Sequence, residues 1–274
     1  MRAILLLALL APLLSGCLTS QQAVPRILAS TLRTLVVVPV ESPPLLVHPE
    51  SEADRAAMRA VGLSAPAHGV AFVPLRTPIP ALNAVNAVVG GVSQITSQTA
   101  SLAPGGKGSL ILAKAPAPPW MMTEDLAATA ARLLQSSANR SVSVIEGYAQ
   151  LQISDRSLNY IMENWYAPVR RWYNSDVSEL DYSQPPTTQA DAVLEIGMLN
   201  YEYALNHLLV TVMVKVVDPK TGKIIARANK HSNRGGGSLA EMLQNQGQPL
   251  RDLVVSDTEA LLGKCLQDVG LMPR

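Results

Sequence analysis

Apolar and polar positions follow three rhythms along the chain, and each predicts a kind of element. Positions 3–14 form an unbroken apolar run behind the single charge of Arg2. Residues 34–40, Thr-Leu-Val-Val-Val-Pro-Val, are short, β-branched and followed by Pro43-Pro44, which predicts a buried strand. Residues 48–62 carry Glu50, Glu52, Asp54, Arg55 and Arg59, the composition of a short exposed helix. From position 77 to 106 there is no charge at all. Within it Leu82, Val85, Val88, Val89, Val92, Ile95, Thr99 and Leu102 recur at steps of three and four, with Asn, Ser and Gln between them. That spacing predicts an amphipathic helix over 82–103 with a neutral polar face, weakened at Gly90-Gly91 and stopped by Pro104-Gly105-Gly106. A strand near 109–113 and a stiff proline connector at 116–119 follow.

The second half is more regular. Thr123 reads as an N-cap, with Glu124 and Asp125 in the first turn and Leu126, Ala130, Leu133 and Leu134 as the apolar stripe of a helix. Residues 142–146 alternate as a strand. Leu158, Ile161, Met162 and Trp165 have helical spacing, and Pro168 breaks or kinks that helix. Strands are expected at 192–203, 208–217 and 224–230, with Asp218-Pro219-Lys220-Thr221-Gly222-Lys223 as the turn between the last two. A glycine-rich loop, 233–238, leads to a final helix over 249–268. The fold class is therefore α/β (α+β): a mixed sheet with an antiparallel C-terminal meander, packed by two or three helices, plus an apolar helical insert at 70–119.

Composition narrows the function classes. Charged residues make up 16% of the 274 residues and nearly balance, so no basic stripe suggests a nucleic-acid partner. The chain has two cysteines; Cys265 lies in a late apolar pattern and reads as a buried thiol. The four histidines are scattered, and neither a metal site nor a cofactor is expected. The motifs G-x-S-x-G, Walker A, G-x-G-x-x-G behind a strand and H-E-x-x-H are all missing, so an enzyme is not expected. Glu195 and Glu202, seven apart on one strand, are expected on opposite faces and too far apart for acid–base work. Gly235-Gly236-Gly237 has two readings, a flexible connector or a cradle for an anion.

The first residues carry a sharper signal. One positive charge, an apolar core and small residues form a secretory signal over 1–16, and the run is too short to cross a bilayer, which needs about 20 residues. Leu14-Ser15-Gly16-Cys17 resembles the lipobox of bacterial lipoproteins. The resemblance implies acylation of Cys17 and a lipidated tether over 17–32. Leu18 rather than Asp after the cysteine implies the outer membrane, with residues 33–274 as a single periplasmic domain.

Two surfaces stand out. The helix at 82–103, with Val85, Val88, Val92 and Ile95, is either an interface or a cover for the domain's own sheet; lacking Lys and Arg, it suits protein contact better than a membrane surface. The cluster Trp165, Tyr166, Arg170, Arg171, Trp172 and Tyr173 has the residue types of a binding hot spot, or it closes a secondary core.

The block Val214-Lys215-Val216-Val217-Asp218-Pro219-Lys220-Thr221-Gly222-Lys223-Ile224, with residues 35–40 and 191–203, resembles the α/β domain of the curli-secretion lipoprotein, the Pel-polysaccharide lipoprotein and the N-terminal domain of TolB. The resemblance implies a non-catalytic structural or assembly subunit of an envelope secretion, export or transport machine. It also implies a homo-oligomer with envelope protein partners. The alternative is a lipid-anchored periplasmic module that binds glycan or lipid through the aromatic cluster.

Overall fold

The structure is a computed structural model and describes residues 23–24, 31–43, 45–61, 71–72, 112–113, 122–138, 140–153, 163–183 and 185–274. The expected signal segment, Cys17, most of the expected tether, and the helix expected at 82–103 with Val85, Val88, Val92 and Ile95 lie outside the described residues.

β1 (Thr34–Pro39) is the strand expected from its β-branched run. Leu35 and Val37 enter one core while Val36 and Val38 enter another, so the strand is buried on both faces and reads as a continuous apolar run. β2 (Leu46–Val47) lies beyond it. Helix α1 (Glu52–Ala60) starts at Ser51, whose hydroxyl accepts from the Asp54 N–H while the Asp54 carboxylate accepts from the Ser51 N–H, a reciprocal capping box. Of the expected insert, β3 (Ala71–Phe72) and β4 (Leu112–Ala113) are described.

Helix α2 (Met122–Ala138) begins one residue before Thr123, so Thr123 stands in its first turn rather than capping it. β5 (Ser141–Val144) and β6 (Tyr148–Ala149) follow. Helix α3 (Glu163–Asn174) continues through Pro168 and does not break there. Pro168 forfeits one helical hydrogen bond, at a cost of about 3 kcal/mol. Trp165, Val169, Trp172 and Tyr173, on both sides of it, are buried, and their packing offsets that cost.

β7 (Ala192–Ala204), β8 (His207–Val217) and β9 (Ile224–Gly235) form the expected meander, the last strand running into the glycines. Helices α4 (Leu239–Met242) and α5 (Gln244–Asp268) close the chain. β7 is central: β1 and then β2 pair with it in parallel along one edge, and β8 antiparallel along the other. β5 flanks β1, β3 flanks β2, and β9 is the far edge. β4 and β6 form a separate pair. The mixed sheet does not close into a barrel.

α2 and α5 pack on one face, over Leu35, Val37, Leu194, Ile196, Val212 and Val214. α3 packs on the other, over Val36, Val38, Val193, Met213 and Val217. β1, β5 and β7 all begin at the same end of the sheet, here called the base; the tight turn at Leu205-Asn206 lies at the opposite end, the tip. Both turn residues have positive φ, 51° and 61°. At the base Val24 is buried, and its N–H donates to the Val269 carbonyl at 3.0 Å, where α5 ends.

Candidate functional site

Glu195 and Lys215 each stand within a buried, otherwise apolar stretch of the β7–β8 hairpin, away from its tip. Counted from the tip, the register set by Ala204 opposite His207 would bring Glu195 opposite Val216. A bulge between Met198 and Tyr201 shifts the register by one, and Glu195 faces Lys215 instead. Both are fully buried, with Lys215 Nζ 3.0 Å from Glu195 Oε2. Trp172 Nε1 donates to the same oxygen at 2.5 Å, and the Ser178 and Tyr182 hydroxyls donate to Oε1.

Burial alone would raise the Glu195 pKa. The Lys215 charge and the hydrogen bonds from Ser178, Tyr182 and Lys215 outweigh it, and the carboxyl lies below its ordinary range. Burial and then the Glu195 charge push the Tyr182 phenol well above its ordinary value.

The same residues hold the end of α3. Lys215 Nζ donates to the Trp172 carbonyl at 2.9 Å and stands 4.9 Å over the Trp172 ring. Arg227, opposite Lys215 on β9, donates to the carbonyls of Tyr173 and Asn174 at 3.3 and 3.2 Å and pairs with Asp176 at 2.7 Å. Two cations therefore meet carbonyls of the last turn of α3, where the helix leaves acceptors unpaired and its dipole is negative. The cluster is a clamp that fixes α3 and the chain after it to the sheet. Its central pair, Glu195 and Lys215, is sealed from solvent.

The aromatic cluster divides. Trp165, Trp172 and Tyr173 are buried in the core beneath α3. Arg170 and Arg171 are exposed and Tyr166 is half-buried, with the Arg170 guanidinium 5.8 Å over its ring. Arg171 donates to the Gln152 carbonyl at 3.3 Å. The stripe was legible, but only the tertiary fold shows which side of it meets the sheet.

One smaller expectation is corrected. The bulge reverses the alternation along β7: Met198 and Tyr201, three residues apart, share one core. Glu202 therefore lies on the same face as Glu195, not the opposite one. It pairs with His48 at 2.8 Å, while Glu195 pairs with Lys215, so the two carboxylates have separate partners. Of the two readings of the glycine loop, the contacts favour the connector. The Gly236 N–H donates to the Asn206 carbonyl, and the Tyr203 hydroxyl donates to the Gly237 carbonyl. A Cβ at Gly236 would stand 2.5 Å from the Tyr203 hydroxyl, so the glycine is required by close approach within the fold.

The clamp escaped the sequence reading, although its signal was there: a Glu and a Lys, each flanked by apolar residues in neighbouring strands of the same hairpin. Cys265 is buried as expected, and burial pushes its thiol pKa up to about 12. Among the described residues no group of His, Cys, Asp and Glu is arranged to hold a metal, and no helix is long and apolar enough to cross a membrane.

The fold and its clamp define a mixed α/β domain with helices on both faces of the sheet. No protein-family model matches the chain, and no curated protein matches it. Solved structures give distant likenesses. The PelC dodecamer from Paraburkholderia phytofirmans is 13% identical with a TM-score of 0.30, covering 61% of this chain and 84% of that one. A Xanthomonas campestris protein of the DUF330 family is 11% identical with a TM-score of 0.30, covering 85% and 86%. A hypothetical protein from Chlamydia trachomatis is 16% identical with a TM-score of 0.32, covering 58% and 89%.

Proposed function

We propose that this chain is a non-catalytic lipoprotein, anchored to the bacterial outer membrane through Cys17, that serves as a structural or assembly subunit of an envelope export or transport machine. The observation that carries the reading is the register of the first seventeen residues: charge, apolar run, small residues and Cys17 in order. The enclosed clamp supports a scaffold role, since its charged groups are committed to holding α3. Homo-oligomers and other envelope proteins are the proposed partners. The other reading, a glycan- or lipid-binding module, would have to use Tyr166, Arg170 and Arg171, because the two Trp rings of the cluster are buried in packing.

The test is the mass of the native, detergent-extracted protein by light scattering with the detergent subtracted, alongside mass spectrometry of the N-terminal peptide. A diacylated Cys17 and a discrete oligomer are expected. An unmodified Cys17, or a strict monomer that captures no envelope protein, refutes the proposal.

A further inference from the structure

The anchor leaves the domain little freedom. Val24 belongs to the main core, is 4% exposed and is tied to the end of α5 through the Val269 carbonyl. Gly270, next to that contact, has a φ of +79°, a backbone conformation that favours glycine. The chain is therefore fixed to the folded body at Val24, seven residues after Cys17. Seven residues reach about 25 Å at full stretch. As a flexible coil they span roughly 15 Å. The eleven residues of β8 place the tip about 35 Å beyond the base. A lipid on Cys17 thus keeps the base close to the bilayer, and the sheet's own length holds the tip away from it.

Resting on the lipid-anchor reading, we infer that the base of the sheet is a membrane-docking face. The phospholipid surface lies against the end formed by Val24, Arg33, Arg140 and the last residues after α5, and the Leu205-Asn206 tip points away. The base carries exposed cations that fit phosphate headgroups. Arg33 is exposed, and Arg140 reaches the carbonyls of Leu32 and Leu271. Lys220 and Lys223 are exposed on the β8–β9 turn at the same end. Asp191 and Asp218 also lie at the base, where Asp191 accepts from the N–H groups of Arg33 and Thr34 and Asp218 from the Lys220 N–H. The short tether, more than net charge, therefore chooses this end.

The experiment uses the full lipidated protein in vesicles of phosphatidylethanolamine and phosphatidylglycerol carrying a nitroxide headgroup lipid. A fluorophore is placed on Lys220→Cys at the base or on His207→Cys at the tip. Both positions are exposed, and buried Cys265 stays unlabelled. The base label should be quenched several-fold more than the tip label. Equal quenching, or stronger quenching at the tip, overturns the inference while leaving the anchor intact. Failure of the unsubstituted protein to float with vesicles overturns the anchor reading, and the docking face with it.

Discussion

Replacing Lys215 by Met removes one charge from the sealed pair and leaves the Glu195 carboxylate buried. In the parent protein that carboxylate has four donors, Lys215, Trp172, Ser178 and Tyr182. Breaking one side of a buried ion pair costs about 3–5 kcal/mol, because the remaining charge keeps its desolvation penalty without its partner. Lys215 also loses its bond to the Trp172 carbonyl, so α3 should loosen at its C-terminal end. The double variant Lys215→Met with Glu195→Gln removes both charges and should recover most of that loss.

The pH dependence follows from the sign of the shift. In the parent, the Glu195 pKa is lowered in the folded state, so its contribution is present above the unfolded pKa and is lost as pH falls through the folded one. Without Lys215, burial dominates and raises it. The folded variant then binds the extra proton, and its stability falls as pH rises. The gap between parent and single variant should therefore be wider at pH 7 than at pH 5. Urea unfolding followed by tryptophan fluorescence reads it directly. A single variant no less stable than the double, with a gap independent of pH, would refute the clamp as an ionic pair.

Three further outcomes are expected. Leu205 is 72% exposed at a φ of 51°, so Leu205→Gly should stabilise by about 0.5–1 kcal/mol, strain relief exceeding the entropy of glycine, as a raised thermal midpoint would show. Gly197→Ala puts a Cβ 2.5 Å from the Trp172 ring, which is held by Glu195; it should cost about 1–3 kcal/mol and change the near-ultraviolet circular dichroism, and an unchanged spectrum would contradict the packing. Cys265, with its thiol pushed up to about 12 and no exposure, should react with a disulfide reagent at pH 8 only at the rate of unfolding; fast native labelling would show the core open there.

The sequence by itself determined the elements whose signal is local. The β-branched run of β1, the meander with its Asp-Pro-Lys-Thr-Gly turn, the Glu52–Ala60 helix and the stripe of α2 follow from periodicity and turn chemistry, which act over a few residues. Packing settled what local rules leave open. Pro168 stays helical because residues on both sides of it are buried against the sheet. The aromatic stripe of α3 turns Trp165, Trp172 and Tyr173 inward, a choice that depends on the sheet beneath it.

The clamp was the least legible feature. Strand alternation carried from the tip would set Glu195 against Val216, and a single bulged residue pairs it with Lys215 instead. That pairing decides which face Glu202 occupies, what holds the end of α3 and where two buried charges find each other. A bulge is selected by the energy of the whole sheet, and two charges in a dry interior are stable only when opposite each other. The tertiary structure therefore decided the register, while the sequence supplied the residues that make it worthwhile.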